Sequence, residues 1–292
     1  MPFLEQENYA QFIDSIDTFL LDCDGVIWHG THVLDGIREL LALLRSKGKR
    51  LLFVTNNSTN SRKSYLKKFT KLGIEASEDE IFGSAYAAAC YVSQILKFPK
   101  DKKVYVCGMS GIAEELASEG INYCGVDEDN DNLKEMSEMG TVKNDPDVGA
   151  VLFGFDLNIN YKKLAKAFTY LHHNPECHFL ATNSDLTFPA GGTVYPGTGA
   201  LLSALSAPLQ RKPTVLGKPE KTMLDVIVAK YHLDRDRTCM VGDRLDTDIL
   251  FGQSGNLKTL LVMTGVTSHD QLEKSAIQPD YYIEKLADLN NH

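Results

Sequence analysis

The chain has 292 residues, a formal net charge of −9 and 43% hydrophobic residues. This length allows one large domain or two of modest size, and the apolar fraction is ordinary for a folded globular protein. An acidic chain without a run of Lys and Arg is not expected to bind nucleic acid or an anionic membrane surface.

Three further features bear on the compartment. No stretch approaches the roughly 18–20 uninterrupted apolar residues of a membrane-spanning helix. The segment MPFLEQENYAQF (1–12) lacks the positively charged start and long apolar core of a secretory signal peptide. The six cysteines include no Cys-x-x-Cys pair, so we expect reduced thiols rather than a zinc site. Together these features predict a cytoplasmic protein.

Short apolar runs alternate with amphipathic stretches along the chain. The runs, in order, are TFLL (18–21), RLLFV (50–54), GAVLFGF (149–155), HFLA (178–181), TVLG (214–217), TCMVG (238–242) and TLLVMTG (259–265). Helical patterns cover 36–49, 62–73, 161–173 and 221–233. Buried parallel strands have this appearance, and the alternation predicts an α/β fold with a Rossmann-like parallel sheet.

Four of the predicted strands lead directly to a residue that suits catalysis or anion binding. These residues are Asp22, Thr55, Lys218 and Asp243. In open α/β sheets, ligands bind outside the carboxyl ends of the strands. If the four strands are neighbours in one sheet, the four side chains converge on one crevice.

The middle of the chain has a different composition. The segment VDEDNDNLKEMSEMGTVKNDPD (126–147) is acidic and partly loop-like, and it is remote in sequence from the four strand-end residues. We therefore predict a core domain of 1–83 and 208–292, interrupted by an inserted α/β domain at 84–207.

The segment FLLDCDGVIWHG (19–30) places Asp22 and Asp24 directly after an apolar strand. A turn or a helix N-cap would explain the pair, since Asp-Gly is a common turn signal. Two carboxylates at this spacing also suit a divalent cation, or a division of work between a nucleophile and a proton donor. The residues alone leave both interpretations open.

Three later motifs are similarly ambiguous when each is taken alone. Thr55 and Asn56 in VTNNST (54–59) suit a helix cap or a phosphate group. Lys218 in GKP (217–219) is either a solvated lysine or an anion ligand. The segment VGDRLDTD (241–248) supplies Asp243 and Asp248 after a second strand that also ends in an acid.

In this order, the motifs resemble those of the haloacid dehalogenase superfamily of phosphohydrolases. The resemblance covers Asp22-x-Asp24, then Thr55, then Lys218, and finally the Gly-Asp motif at Asp243. The sequence around the motifs is similar to that of the eukaryotic 4-nitrophenylphosphatase and phosphoglycolate phosphatase branch. The segments that carry this similarity are FLLDCDGVIWHG, FVTNNST, TVLGKP and CMVGDRLDTDILFG. The resemblance implies a large α/β cap inserted between the second and third motifs.

The resemblance also implies a reaction. Asp22 would be the nucleophile that forms an aspartyl-phosphate, and Asp24 would protonate the leaving group and then activate water. A Mg²⁺ ion would be held by Asp22, the backbone carbonyl of Asp24, and Asp243, with Asp248 binding the waters on the metal.

The phosphoryl oxygens would be bound by the second and third motifs. The resemblance assigns this role to Thr55, Asn56, Asn57 and Lys218. Lys218 would supply the local positive charge that an anionic substrate requires in an acidic protein.

The cap is expected to select the substrate through LATNSDLTFPAGGTVYPGTG (180–199), which resembles the family's substrate loop. Packing of the cap explains this segment equally well. In the family, relatives that act on pyridoxal phosphate carry a histidine at the position where this chain has Phe188. The phenylalanine would instead form an apolar wall beside a small phosphorylated acid. We therefore expect phosphoglycolate or a similar metabolite as substrate, 4-nitrophenyl phosphate as an artificial one, and a homodimer formed through the cap.

Other functions stay open at this level. The chain could be a phosphoprotein phosphatase or a pyridoxal phosphate phosphatase. It could also be a non-catalytic, metabolite-binding regulatory protein that retains the site.

Overall fold

The computed structural model describes residues 2–190 and 192–291. The strands in chain order are β1 (Thr18–Leu21), β2 (Trp28–His29), β3 (His32–Val33), β4 (Arg50–Thr55), β5 (Ile81–Gly83), β6 (Lys103–Cys107), β7 (Tyr123–Cys124), β8 (Val148–Phe153), β9 (His178–Ala181), β10 (Thr187–Ala190), β11 (Thr193–Pro196), β12 (Thr214–Val215), β13 (Thr238–Gly242), β14 (Lys258–Val262) and β15 (Tyr281–Ile283).

The α-helices in chain order are α1 (Tyr9–Ser15), α2 (Ile37–Ser46), α3 (Arg62–Lys71), α4 (Ser84–Cys90), α5 (Ser110–Ser118), α6 (Tyr161–His173), α7 (Thr198–Leu209), α8 (Lys221–Tyr231), α9 (Leu250–Ser254) and α10 (His269–Lys274). The helical patterns predicted from the sequence coincide with α2, α3, α6 and α8. Short 3₁₀ or π turns occur at Gln6–Asn8, Glu78–Glu80, Tyr91–Ile95, Met136–Thr141, Arg235–Arg237, Leu245–Ile249 and Leu286–Asn291. Within the described ranges, no helix is long and apolar enough to cross a membrane.

The chain folds into two compact units. The first unit contains Met1–Thr55, Tyr65–Phe82 and Lys218–His292, and the second contains Asn56–Ser64 and Gly83–Gly217. The second unit differs from the insertion predicted at 84–207, since it also takes in 56–64, Gly83 and 208–217. That the second unit is a cap that selects the substrate stays a prediction.

The first unit is built on a parallel sheet in the order β15-β14-β13-β1-β4-β5. Every neighbouring pair from β15 to β4 is parallel. Helix α2 shows how the sequence builds the layers around this sheet: Ile37, Leu40, Leu41 and Leu44 lie on one helical face and are buried. The predicted α/β fold with a Rossmann-like parallel sheet is confirmed.

The second unit has its own parallel sheet, in the order β12-β9-β8-β6-β7. Successive side chains of a strand face opposite sides, so each strand serves two cores. In β6, Val104 and Val106 pack into one hydrophobic cluster, whereas Tyr105 and Cys107 pack into another. Strands β10 and β11 form a separate antiparallel hairpin.

The four strands that lead to the predicted site residues are not all neighbours in one sheet. Strands β13, β1 and β4 are adjacent in the first unit, but β12, which precedes Lys218, belongs to the sheet of the second unit. Buried parallel strands have the same composition in any sheet, so the apolar pattern could not assign β12 to one sheet or the other.

Candidate active site

Three neighbouring parallel strands of the first unit end at one edge of their sheet. Leu21, the last residue of β1, is in register with Val241 in β13. Asp22 and Asp243 therefore follow their strands within one residue of the same level, and the Asp22 N–H donates to the Val241 carbonyl oxygen at 2.9 Å. Thr55 ends β4 at this same edge. The edge is the carboxyl end of the strands, where α/β sheets bind ligands.

Lys218 enters this site from the chain that follows β12. Its ammonium group donates to Asp22 Oδ1 at 2.5 Å, to Asp248 Oδ1 at 2.7 Å and to the Val54 carbonyl oxygen at 2.9 Å. The residue is only 2% exposed. Charge-assisted hydrogen bonds of this kind, shielded from water, hold the ammonium group at a defined position.

Three carboxylates gather beside this lysine. Asp22, Asp243 and Asp248 each place one oxygen within 4.8 Å of the other two. The second oxygen of Asp248 accepts a hydrogen bond from the Arg244 N–H at 3.1 Å, and Asp243 Oδ2 accepts one from the Val266 N–H at 2.7 Å. Hard cations such as Mg²⁺ prefer oxygen ligands of this type.

The cluster carries more negative charge than its lysine balances. Burial raises the pKa of Asp22 well above its usual value, and Asp248 and Asp243 raise it further, while Lys218 acts in the opposite direction. Burial and the nearby Asp248 raise the pKa of Asp243 to about 7. Burial would lower the pKa of Lys218, but Asp22 and Asp248 outweigh it and the pKa lies above its ordinary value. A divalent cation would compensate these carboxylates, so the donor set fits Mg²⁺.

Two glycines make room for the Asp243 carboxylate. A Cβ atom on Gly25 would lie 2.5 Å from Asp243 Oδ2, and one on Gly265 would overlap the same oxygen. A hydrogen bond links the segments that contain these glycines, since the Thr264 hydroxyl donates to the Gly25 carbonyl oxygen at 2.6 Å. Gly265 was not among the predicted site residues, and the available signal was its position as the last residue of an apolar strand run.

Asp24 lies outside the carboxylate cluster and is exposed. Its Oδ1 accepts a hydrogen bond from Trp28 Nε1 at 2.9 Å. The Trp28 ring is fully buried and packs edge-on against Phe69 at 4.9 Å between ring centroids. The turn between them requires Gly25, whose φ of +86° is in the left-handed region. A rigid indole therefore orients a carboxylate that keeps access to solvent.

The second motif divides between the two units. Thr55 is buried in the first unit, where its side chain is hydrogen-bonded with Tyr65. Asn56 and Asn57 belong to the second unit. Asn57 Oδ1 accepts hydrogen bonds from the Thr59 N–H at 2.9 Å and from the Thr59 hydroxyl at 2.6 Å, which is a local turn.

Phe188 lies in β10 of the second unit, within a row of aromatic rings. Its ring centroid is 5.0 Å from that of Phe155 in an edge-on arrangement and 6.0 Å from that of Tyr195. The first unit thus brings together four of the residues predicted for the site, Asp22, Asp243, Asp248 and Lys218. Asp24 and Thr55 lie at the same end of its sheet. The other predicted residues, Asn56, Asn57 and Phe188, belong to the second unit.

Comparisons with known proteins agree with these motifs. Residues 19–122 match a family model described as haloacid dehalogenase-like hydrolase, and residues 215–289 match a second HAD-hydrolase-like model. The chain is 49% identical over 286 residues to phosphoglycolate phosphatase 1A, chloroplastic, of Arabidopsis thaliana, covering 97% of this chain and 79% of the relative. It is 45% identical over 287 residues to a 4-nitrophenylphosphatase of Schizosaccharomyces pombe, covering 97% and 96%.

A solved structure is similar over nearly the whole chain. It is a glycerol phosphate phosphatase from Mycobacterium tuberculosis in complex with magnesium, with a TM-score of 0.80 at 26% identity. The match covers 95% of this chain and 77% of that one.

Proposed function

The chain belongs to the haloacid dehalogenase superfamily and is a phosphoric monoester hydrolase, and from this premise we propose that it hydrolyses small phosphorylated metabolites such as phosphoglycolate. The reaction uses Mg²⁺ and passes through an aspartyl-phosphate. The observation that carries the proposal is the buried group of Asp22, Asp243 and Asp248 around Lys218.

A Mg²⁺ ion would be held by oxygen atoms of the first unit. Asp22, Asp243 and the backbone carbonyl of Asp24 are its proposed protein ligands, with Asp248 binding waters on the ion. When bound, Mg²⁺ supplies positive charge for the phosphoryl oxygens. Support comes from the excess negative charge of the carboxylates and from the magnesium complex of the mycobacterial relative.

Asp22 is the proposed nucleophile. Its carboxylate attacks phosphorus, the bond to the leaving oxygen breaks, and an aspartyl-phosphate forms. Lys218, already bonded to Asp22, and Thr55, at the same edge, would bind phosphoryl oxygens together with the backbone of Asn56 and with Asn57.

Asp24 is the proposed proton carrier. It donates a proton to the leaving alkoxide and then takes one from the water that cleaves the aspartyl-phosphate. Its exposure gives it access to water, and its hydrogen bond from Trp28 holds the carboxylate in one orientation.

The substrate class rests on the relatives and on the aromatic row. The names of the relatives specify phosphoglycolate, 4-nitrophenyl phosphate and glycerol phosphate. Phe188, packed against Phe155, is an apolar wall at the position where a histidine is associated with pyridoxal phosphate. We therefore propose a small aliphatic phosphate ester as the natural substrate.

Two variants test the proposed chemistry with 4-nitrophenyl phosphate and Mg²⁺. Asp22→Asn should abolish turnover, whereas Asp236→Asn, which changes an exposed aspartate, should match the wild type. Asp24→Asn should accumulate the aspartyl-phosphate, because the nitrophenolate leaving group needs little protonation while the second step still lacks its base. The intermediate would be detected as a mass gain on the Asp22 peptide. Wild-type turnover by Asp22→Asn would mean that another residue is the nucleophile.

A substrate panel addresses specificity. Values of kcat/KM should be higher for phosphoglycolate and glycerol phosphate than for pyridoxal phosphate or a phosphopeptide. The reverse order would favour a pyridoxal phosphate phosphatase or a phosphoprotein phosphatase.

We also propose a cytoplasmic homodimer formed through the second unit. The β10–β11 hairpin exposes Val194 and Tyr195, and neighbouring Leu186 is exposed as well. The cysteines are free thiols, as in a reducing compartment. Light scattering on the purified protein and on Tyr195→Glu would test the dimer, and cell fractionation would test the compartment.

A further inference from the structure

Asn56, Asn183 and Asp185 form a closed ring of hydrogen bonds in the second unit, which we call the Asn56 clamp. Asn56 Nδ2 donates to an Asp185 carboxylate oxygen at 3.1 Å. Asn183 Nδ2 donates to the Asn56 carbonyl oxygen at 2.9 Å, and the Asp185 N–H donates to Asn183 Oδ1 at 3.1 Å. Both the side chain and the backbone of Asn56 are therefore held.

Two further residues support the clamp. The Ser84 hydroxyl donates to the same Asn56 carbonyl oxygen at 2.7 Å. Gly217 packs against the Asn56 side chain so closely that a Cβ atom on it would lie 2.7 Å from Asn56 Oδ1. Asn183 is only 4% exposed, so water does not replace these bonds when one is lost.

The clamp adjoins two residues of the proposed phosphate site along the chain. Asn56 directly follows Thr55, and Gly217 directly precedes Lys218. A planar peptide group fixes the separation of consecutive Cα atoms at about 3.8 Å, so holding one residue restrains its neighbour. A shift of Asn56 or Gly217 would therefore move the backbone that carries Thr55 or Lys218.

We infer that Asn183 and Asp185 are positioning residues for phosphate binding. Asn183 holds the backbone of Asn56 and Asp185 holds its side chain, and the groups that bind the phosphoryl oxygens depend on the position of Asn56. This inference rests on the proposed function, because it assigns the loop after Thr55 to the phosphate. It requires no contact between Asn183 or Asp185 and the substrate.

The first test replaces one atom of the clamp. Asn183→Asp keeps the size of the side chain but puts an oxygen where the amide donates to Asn56. A matched control is Asn160→Asp, because Asn160 Nδ2 also donates to a carbonyl oxygen, that of Asp129, at 2.8 Å. Asn160 Oδ1 likewise accepts a backbone hydrogen bond, from the Lys163 N–H at 3.0 Å.

For Asn183→Asp, kcat/KM with 4-nitrophenyl phosphate should fall about 10- to 100-fold, the effect of displacing binding groups by roughly 1 Å. The inhibition constant of inorganic phosphate should rise by a similar factor, because the product uses the same groups. Asn160→Asp should match the wild type in both constants. A merely structural role of Asn183 would lower the melting temperature of Asn183→Asp and leave both of its kinetic constants unchanged.

The second test uses Asp185 and does not depend on whether Asn183→Asp folds. Asp185→Ala removes the acceptor for Asn56 Nδ2 and should reproduce the kinetic loss, whereas Asp185→Asn keeps an acceptor oxygen and should rescue it. Wild-type kcat/KM and phosphate inhibition in Asn183→Asp or Asp185→Ala would overturn the inference while the proposed function stands. An inactive wild type would overturn the proposed function itself.

Discussion

Replacing Lys218 with methionine should destabilise the first unit by about 3–5 kcal/mol in the absence of divalent cations. Methionine nearly preserves the length of the side chain, so the loss is chiefly one of charge. The lysine is 2% exposed, and its ammonium group lies 2.5 Å from Asp22 and 2.7 Å from Asp248. Removing one partner of such a buried group leaves charge without compensation. The expected loss is a large part of the roughly 5–15 kcal/mol that holds a typical domain folded.

The single tryptophan allows the change in the free energy of unfolding to be measured for the first unit. Trp28 is fully buried in the core of the first unit, so its fluorescence reports the unfolding of that unit. Urea titrations in EDTA would compare the wild type with Lys218→Met and with Lys218→Met/Asp248→Asn. The double variant removes one uncompensated carboxylate and should recover part of the free energy of unfolding. Excess Mg²⁺ should also reduce the loss, since the cation would take over part of the compensation.

The result that refutes this reasoning is a small effect. A loss under about 1 kcal/mol for Lys218→Met in EDTA is what an exposed ion pair produces. It would mean that Lys218 does not compensate the carboxylates. Equal stabilities of the single and double variants would contradict the assignment of the cost to Asp248.

Gly265→Ala should raise the Mg²⁺ concentration for half-maximal activity by about 10- to 100-fold, because its Cβ would displace the Asp243 carboxylate. Gly140→Ala, whose Cβ would meet open space, is the control, and the same Mg²⁺ requirement in both variants would contradict the prediction. Burial and the nearby Glu128 raise the pKa of Cys124 to about 11. Its alkylation by iodoacetamide, followed by peptide mass spectrometry, should therefore accelerate about tenfold per pH unit from about pH 7 to 10. A plateau near pH 9 would indicate an ordinary thiol.

The two acidic strand ends could be predicted from local pattern. A short apolar run followed by Asp22 and another followed by Asp243 indicate parallel strands that end in carboxylates, and the fold places them side by side. The order of the motifs, from Asp22-x-Asp24 to the Gly-Asp at 242–243, was sufficient to identify the superfamily. The strand ends and the order of the motifs can be predicted because each depends on a few residues that are close together in the sequence.

The sheet to which the strand before Lys218 belongs could not be predicted from local pattern. The run before it resembles the strands of the first unit, yet β12 pairs with β9 in the sheet of the second unit. Which strand a buried run pairs with depends on long-range hydrogen bonds and on packing over both faces, and apolar composition is the same in each sheet.

The amino-acid sequence by itself determined the α/β class and the superfamily, and it predicted the residues of the candidate site and the place of an insertion. Each of these is a matter of residue type and spacing. Only the tertiary structure decided that Lys218 bridges Asp22 and Asp248, that Gly265 makes room for Asp243, and that Asn183 holds Asn56. Contacts between residues far apart in the chain depend on how the helices and strands pack, and the local sequence pattern does not specify that packing.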